Sequence, residues 1–366
     1  MAASDTAAAS AIRRGSNDHR AIRNWLVAVA ALVFCMIVVG GATRLTGSGL
    51  SITEWQPIMG AIPPLSESDW QTAFAKYKQI PQYERVNKGM SLDEFKGIFF
   101  WEWFHRLLGR VIGVVFALPL AWFWWKGRLP ADSRAPLLGI FGLGALQGGI
   151  GWYMVASGLV DRVSVSQYRL ALHLTIAFLI LGALVWMWLR LSAVSAPRQD
   201  ARLESVRAGH SRRTAVATAW VLLALLTLQL VAGALVAGMK AGLAYNTWPL
   251  MDGAWVPSGL LIMKPWWLNA FENAATVQFN HRILAYLITG LAIWQAWRLL
   301  PLGGAASVSA QALLAVILLQ VVLGISTLLA HVPLSLGLMH QGGAAIVFAV
   351  AVWHAHAVTR GKGGAT

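Results

Sequence analysis

The chain holds one cysteine, Cys35, set inside an apolar run. No disulfide and no cysteine-built metal centre can form within it. Cys35 is expected to pack between helices. Charge is equally scarce: 12% of the 366 residues are Asp, Glu, Lys or Arg, while 57% are hydrophobic. A soluble domain carries about twice that charged fraction, so a soluble globular enzyme is excluded. The first 20 residues contain Arg13, Arg14 and Arg20 but no apolar core, so they do not read as a secretory signal. Their Ala/Ser/Arg composition weakly resembles a transit peptide, and Asp5 and Asp18 weigh against that.

What the chain has is long apolar runs. Eight are about 20 residues or longer, the length a bilayer core requires. They lie near 22–43, 98–125, 135–158, 168–191, 214–238, 274–299, 307–331 and 334–357. The expected fold is an all-α integral membrane protein, its eight helices arranged as two four-helix bundles related by a pseudo-two-fold axis.

The net charge of +14 raises the question of nucleic acid, but the position of the charges answers it. Arg13, Arg14, Arg20 and Arg23 precede span 1. Lys126, Arg128 and Arg134 follow span 2, and Arg190, Arg198, Arg202, Arg207, Arg212 and Arg213 follow span 4. Arg298 ends span 6, and Arg360 and Lys362 follow span 8. All fall on one side, which the positive-inside rule makes the cytoplasm. Both termini are therefore expected inside, and no nucleic-acid partner is needed. Trp101 and Trp103 mark the outer end of span 2, and Trp122, Trp124 and Trp125 its inner end. Trp101 to Trp122 is ~32 Å of helix, close to a bilayer core.

The halves look duplicated. Gly40 to Gly60 lies over Gly233 to Gly253 without a gap at an offset of 193 residues, matching Gly49-Leu50 with Gly242-Leu243 and Trp55 with Trp248. His105-Arg106 answers to His281-Arg282, and His173 to His340. Four spans per repeat is an even number, so both repeats insert in the same sense and their axis lies along the membrane normal. The expected organisation is a tail at 1–21, a first half at 22–191 with a long outer loop at 45–97, a linker at 192–213, a second half at 214–357 and a tail at 358–366. Within the long loop, Ser91-Leu92-Asp93-Glu94 reads as a capping box that starts a helix outside the bilayer.

His105, His173, His281 and His340 open spans 2, 4, 6 and 8 from the outside, hence at matched depth. Each has a small residue four positions later: Gly109, Ala177, Ala285 and Ala344. That spacing leaves room on one helix face for a flat macrocycle. A lone membrane histidine is ordinarily a helix-to-helix hydrogen bond, but four at matched depth in two repeat-related pairs favour ligation. Two neutral imidazoles saturate the axial positions of a haem iron. Zinc fits poorly, because no thiolate or carboxylate cluster completes four ligands. Arg106 and Arg282 follow two of the histidines and suit haem propionates, or else interfacial charge reaching for water. Glu102 is the one carboxylate well within a span. It sits three residues before His105, on the same face, where the second half has Gln278. That asymmetry points to acid–base chemistry in the first half, beside a plain i, i+4 pair with Arg106. His19, His210, His331, His354 and His356 are read as ordinary structural or surface histidines.

Glu102-Trp103-Phe104-His105-Arg106, Gly41-Ala42-Thr43-Arg44-Leu45-Thr46-Gly47-Ser48-Gly49-Leu50-Ser51, Asn280-His281-Arg282 and Met339-His340-Gln341 together resemble the haem A synthase family, over about 22–357. The likeness is strongest to its proteobacterial and mitochondrial branch. Some bacterial members carry a cysteine pair in outer loops, which this chain lacks. The resemblance implies oxidation of the C8 methyl of haem O to the formyl group of haem A, for terminal oxidase assembly. It implies a haem b cofactor on His281 and His340, substrate haem at His105 and His173, and catalysis by Glu102. It further implies an electron donor of ferredoxin or quinol type, contacts with haem O synthase or oxidase assembly factors, a homo-oligomer, and residence in the cell inner membrane rather than the mitochondrial one. The rival readings are a di-haem b-type electron-transfer protein, which leaves the Glu102/Gln278 difference unexplained, and a transporter, which needs polar or broken helices near the midplane.

Overall fold

In a bilayer every backbone N–H and C=O must be satisfied within the chain, so each apolar run is forced into a helix. The computed structural model describes residues 2–194 and 209–359, with side chains described over 17–192 and 212–359. Arg13, Arg14, Arg198, Arg202, Arg207, His210, Arg360 and Lys362, on which part of the charge asymmetry rests, lie outside the described side chains. The helices are α1 (Ala2–Leu45), α2 (Glu67–Tyr77), α3 (Pro81–Arg85), α4 (Leu92–Trp125), α5 (Ala131–Ala156), α6 (Gln167–Val194), α7 (Gly209–Gly238), α8 (Asn269–Glu272), α9 (Ala274–Leu299), α10 (Gly304–Leu329) and α11 (Leu334–Thr359). Eight of them (α1, α4, α5, α6, α7, α9, α10 and α11) are long and apolar enough to cross a membrane. The chain is a multi-pass membrane protein, as its apolar runs require. Among the described residues there is no strand, only one isolated bridge between Met251 and Ala254.

The contacts between helices follow a repeating pattern. α1 packs on α4, α4 on α5, α5 on α6 and α6 back on α1. In the same cyclic order α7 packs on α9, α9 on α10, α10 on α11 and α11 on α7. The two rings meet where α1 touches α11, α6 touches α7, and α6 touches α11. Small residues make these seams close, as expected where lipid offers no hydrophobic driving force between helices. A Cβ at Gly182 of α6 would lie 2.8 Å from Phe348 Cε1 of α11, and one at Gly238 of α7 would lie 2.7 Å from Gln167 Cα of α6. Phe178 meets Phe348 edge-on across the same seam. Cys35 departs from expectation: it is exposed on the outward face of α1 rather than packed between helices.

The long outer loop is a folded cap. Ser66 caps α2 through a reciprocal box with Asp69, and Ser91 does the same for α4 with Glu94, as its spacing predicts. Leu50, Phe74, Tyr77, Ile80, Phe95 and Phe99 form a separate buried cluster that seats the cap on the outer end of α4. Gln82 ties α3 to the loop start by donating to Gly47 O at 2.9 Å. The shorter outer segment of the second half is pinned by Asn273. Its side chain caps α9 at Ala275 and donates to Gly259 O at 2.7 Å. At the other end of α4, Arg128 lies over Trp122 and Lys126 over Trp125, the amphipathic belt expected where helix leaves hydrocarbon.

Candidate functional site

Each of the four histidines His105, His173, His281 and His340 faces a glycine on the preceding long helix. A Cβ at Gly151 of α5 would lie 2.9 Å from His173 Cε1, one at Gly233 of α7 3.1 Å from His281 Cε1, and one at Gly324 of α10 2.8 Å from His340 Cε1. At Gly40 of α1 the nearest histidine atom, His105 Nε2, would be 3.5 Å away. No side chain larger than hydrogen fits the three close positions without moving the ring. The glycines thus let each imidazole lie against a bare stretch of backbone. His105 and His173 are within electrostatic reach of one another, and so are His281 and His340.

The imidazoles are partly exposed rather than sealed. His173 Nδ1 and His281 Nδ1, by contrast, are buried with no hydrogen-bond partner. An unsatisfied ring nitrogen inside a bundle is costly, so these rings are arranged for something other than their own packing. Among the described residues no group of three or more His, Cys, Asp or Glu could hold a metal ion. Pairs of imidazoles with an open edge and a glycine cradle suit the two axial positions of a haem, and not the four ligands of zinc.

Glu102 is only 2% exposed. Its Oε2 accepts from Ser51 Oγ at 2.8 Å and from the Ile52 amide at 2.9 Å, and its Oε1 accepts from Arg106 at 2.6 Å. Arg106 also donates to the carbonyls of Ile52 and Glu54, each at 2.9 Å. In the second half Arg282 donates to the carbonyls of Tyr245 at 3.1 Å and Thr247 at 2.9 Å. Tyr245 and Thr247 are the residues 193 positions beyond Ile52 and Glu54, so the sequence duplication reappears as the same arginine clamp on the same loop carbonyls. The neighbouring position differs. Gln278 donates to Tyr245 O at 3.0 Å, whereas Glu102 accepts from the Ile52 amide. Both arginines thus have their forks on the loops, while Arg282 Nε is buried without a partner.

Three groups escaped the sequence reading. The glycines opposite the histidines recur as x-x-x-Gly one turn after Gln147, Gln229 and Gln320, a signal visible in spans 3, 5 and 7. Ser51, the hydroxyl on Glu102, lies in a loop whose fold gives no periodicity to read. Glu272 accepts from Gln167 at 3.0 Å and from Tyr168 at 2.5 Å, tying the second outer segment to the helix that carries His173. His354 is a satisfied core histidine, held between Gln295 at 3.1 Å and Ser309 at 2.9 Å.

Known sequences resolve what the geometry leaves open. The family described as cytochrome oxidase assembly protein, COX15-CtaA, matches residues 23–352. The haem A synthase of Rhizobium meliloti is 50% identical over 346 residues, covering 93% of this chain and 91% of that protein. The haem A synthase of Azorhizobium caulinodans is 54% identical over 342 residues, covering 93% and 95%. That of Bradyrhizobium sp. strain ORS 278 is 52% identical over 344 residues, covering 93% and 92%.

Proposed function

Because the chain belongs to the COX15-CtaA family of cytochrome oxidase assembly proteins, and its curated relatives are haem A synthases, we propose that it oxidises the C8 methyl of haem O to the formyl group of haem A. The observation that carries this is the asymmetry of the two histidine pairs. Each pair has its glycine cradle, and only one has a buried carboxylate at its rim. His281 and His340 hold a resident haem b, and His105 and His173 receive the substrate haem. A bound haem b supplies one-electron transfer.

The methyl group becomes a hydroxymethyl, then a gem-diol that loses water to the aldehyde. Each hydroxylation consumes dioxygen, two electrons and two protons, so a proton carrier is needed at the substrate. Glu102 would fill that role: it sits three residues before His105 on the same helix and accepts from Ser51 Oγ, a hydroxyl able to pass a proton. Arg106 pairs with the carboxylate and Arg282 keeps the matching loop in place, and these two guanidinium groups would be the partners of the haem propionates. The electrons come from a donor of ferredoxin or quinol class.

The duplicated clamps and the cyclic helix contacts support a pseudo-two-fold axis along the membrane normal between 22–191 and 214–357. Lys126, Arg128, Arg134 and Arg190 support cytoplasmic termini in the cell inner membrane. A reporter active only outside the cytoplasm, fused within 192–213, should be silent. The deciding experiment is to purify the protein and analyse its extracted haems by chromatography and mass. Haem b with haem O and haem A supports the synthase. Haem b alone, with no conversion of supplied haem O, supports the electron-transfer protein instead.

A further inference from the structure

The glutamine that precedes each close glycine by one turn makes the same bond in all three hairpins. Gln147 Nε2 donates to His173 O at 3.0 Å, Gln229 Nε2 to His281 O at 3.1 Å and Gln320 Nε2 to His340 O at 2.8 Å. Two of the three also approach the ring: Gln320 Nε2 lies 3.1 Å from His340 Nδ1 and Gln229 Nε2 3.4 Å from His281 Nε2. All three amide oxygens are buried without a partner. A helix carbonyl already accepts from the amide one turn on, so a second donor there is not required by the helix itself. Each amide therefore grips the turn that carries a histidine and has an acceptor left over beside it.

The first hairpin breaks the rule. Met36 stands one turn before Gly40. Its Cε would lie 3.5 Å from a Cβ at Gly109, the small residue one turn after His105. It offers no donor to His105 O and no amide oxygen. Gly40 is also the one glycine of the four at ordinary contact distance from its histidine. His105 is thus the histidine held least firmly, with no glutamine on its carbonyl and a looser glycine cradle.

We propose that Gln147, Gln229 and Gln320 are positioning residues that fix the helix turns carrying the histidines they grip, that Gln229 and Gln320 also set the rotation and tautomer of their rings, and that Met36, by leaving His105 ungripped, makes the haem on that side the exchangeable one. The inference rests on the reading that these histidines are haem ligands. An imidazole bound through one nitrogen carries its proton on the other and needs an acceptor there. Gln320 and Gln229 stand 3.1 and 3.4 Å from a ring nitrogen, and a turn of either amide exchanges its bond to the histidine carbonyl for an oxygen acceptor at the ring. An acceptor on that N–H makes the imidazole a stronger donor and favours the oxidised iron. A site that must release its product gains where one of its two histidines, His105, lacks such an amide.

The test uses the full-length protein, purified in detergent with its resident haem. The reduction potential and EPR spectrum are read for Gln320→Leu and Gln320→Glu, with His340→Met alongside. The potential should rise in Gln320→Leu and fall in Gln320→Glu, with altered EPR g values in both. Equal potentials in parent, Leu and Glu forms would overturn the inference while an altered His340→Met spectrum left the ligand reading standing. An unchanged His340→Met spectrum would overturn both. Met36→Gln should retain about 10-fold more haem O or haem A through purification, the order of effect typical of groups that orient ligands. Unchanged retention would overturn the exchange part. Where Gln320→Leu fails to fold, Gln320→Glu and Met36→Gln, which both keep a polar or equally long side chain, still decide the question.

Discussion

The two halves clamp their outer loops with the same arginine and differ in what stands beside it. In the second half Gln278 gives an N–H to Tyr245 O, and Ala244 occupies the position matching Ser51. In the first half Glu102 takes an N–H from Ile52 and a hydroxyl from Ser51. A loop can therefore be held without a carboxylate, as the second half does it with Arg282 and Gln278. The carboxylate is an addition, made where we place the chemistry, and it brings a larger folded cap with it. The histidines divide differently: three, His173 of the first half among them, are gripped by glutamines against close glycines, and His105 is not.

The strongest break in the comparison is removal of a ligand. His281→Met and His340→Met are each expected to abolish the parental low-spin haem b signature in optical and EPR spectra. His105→Ala should keep that signature and lose substrate binding. If His105→Ala removed haem b while haem O still bound, the halves would be assigned the wrong way round.

Next comes Glu102→Gln, which gives the first half the side chain of the second. Arg282 shows that a guanidinium at this depth is tolerated on two loop carbonyls without a carboxylate, so folding and haem b content should be close to parental. Haem A formation should fall by about 10²–10⁴-fold, the usual size of a general acid–base contribution, with a hydroxylated intermediate accumulating in haem extracts. A parental rate would reduce Glu102 to the partner of Arg106.

The glycines sharpen the comparison at smaller cost. Gly324→Ala sets a methyl 2.8 Å from His340 Cε1, closer than real Cβ atoms come to a neighbour, and Gly40→Ala sets one at an ordinary 3.5 Å from His105 Nε2. The first should shift the haem b spectrum and lower haem content in the purified protein. The second should leave both unchanged.

Much of this arrangement was legible from residues alone, for a physical reason. Lipid imposes helices on apolar runs, so the eight spans followed from length. Histidines at matched positions survive as a pattern even without geometry. The Ser91 capping box was readable because its partners are three residues apart. The Ser51–Glu102 bond joins residues 51 positions apart through an irregular loop, and no local rule reports such a contact. The glutamine grip was visible as a recurrence but meaningless until the facing helices were known. Cys35 was misplaced because an apolar run does not say which of its faces meets lipid.

The finest test replaces Ser51, because it changes the first half by one oxygen atom toward the second, where Ala244 stands. Ser51→Ala removes a 2.8 Å donor from Glu102 and leaves the Ile52 amide and Arg106 in place. A hydrogen bond to a charged group is worth about 1.5–3 kcal/mol. The carboxylate keeps its other two partners, so the loss should fall at or below the low end of that range, about 10-fold in rate at most. If the hydroxyl serves only to hold the loop, Ser51→Ala should lower thermal stability and leave the rate per folded molecule alone. If it serves Glu102, the rate should fall at parental stability, and the effect should vanish in a Glu102→Gln background, since two residues acting through one carboxylate are not additive. Haem A formed per haem b in the four forms, parent, each single variant and the double, separates these outcomes.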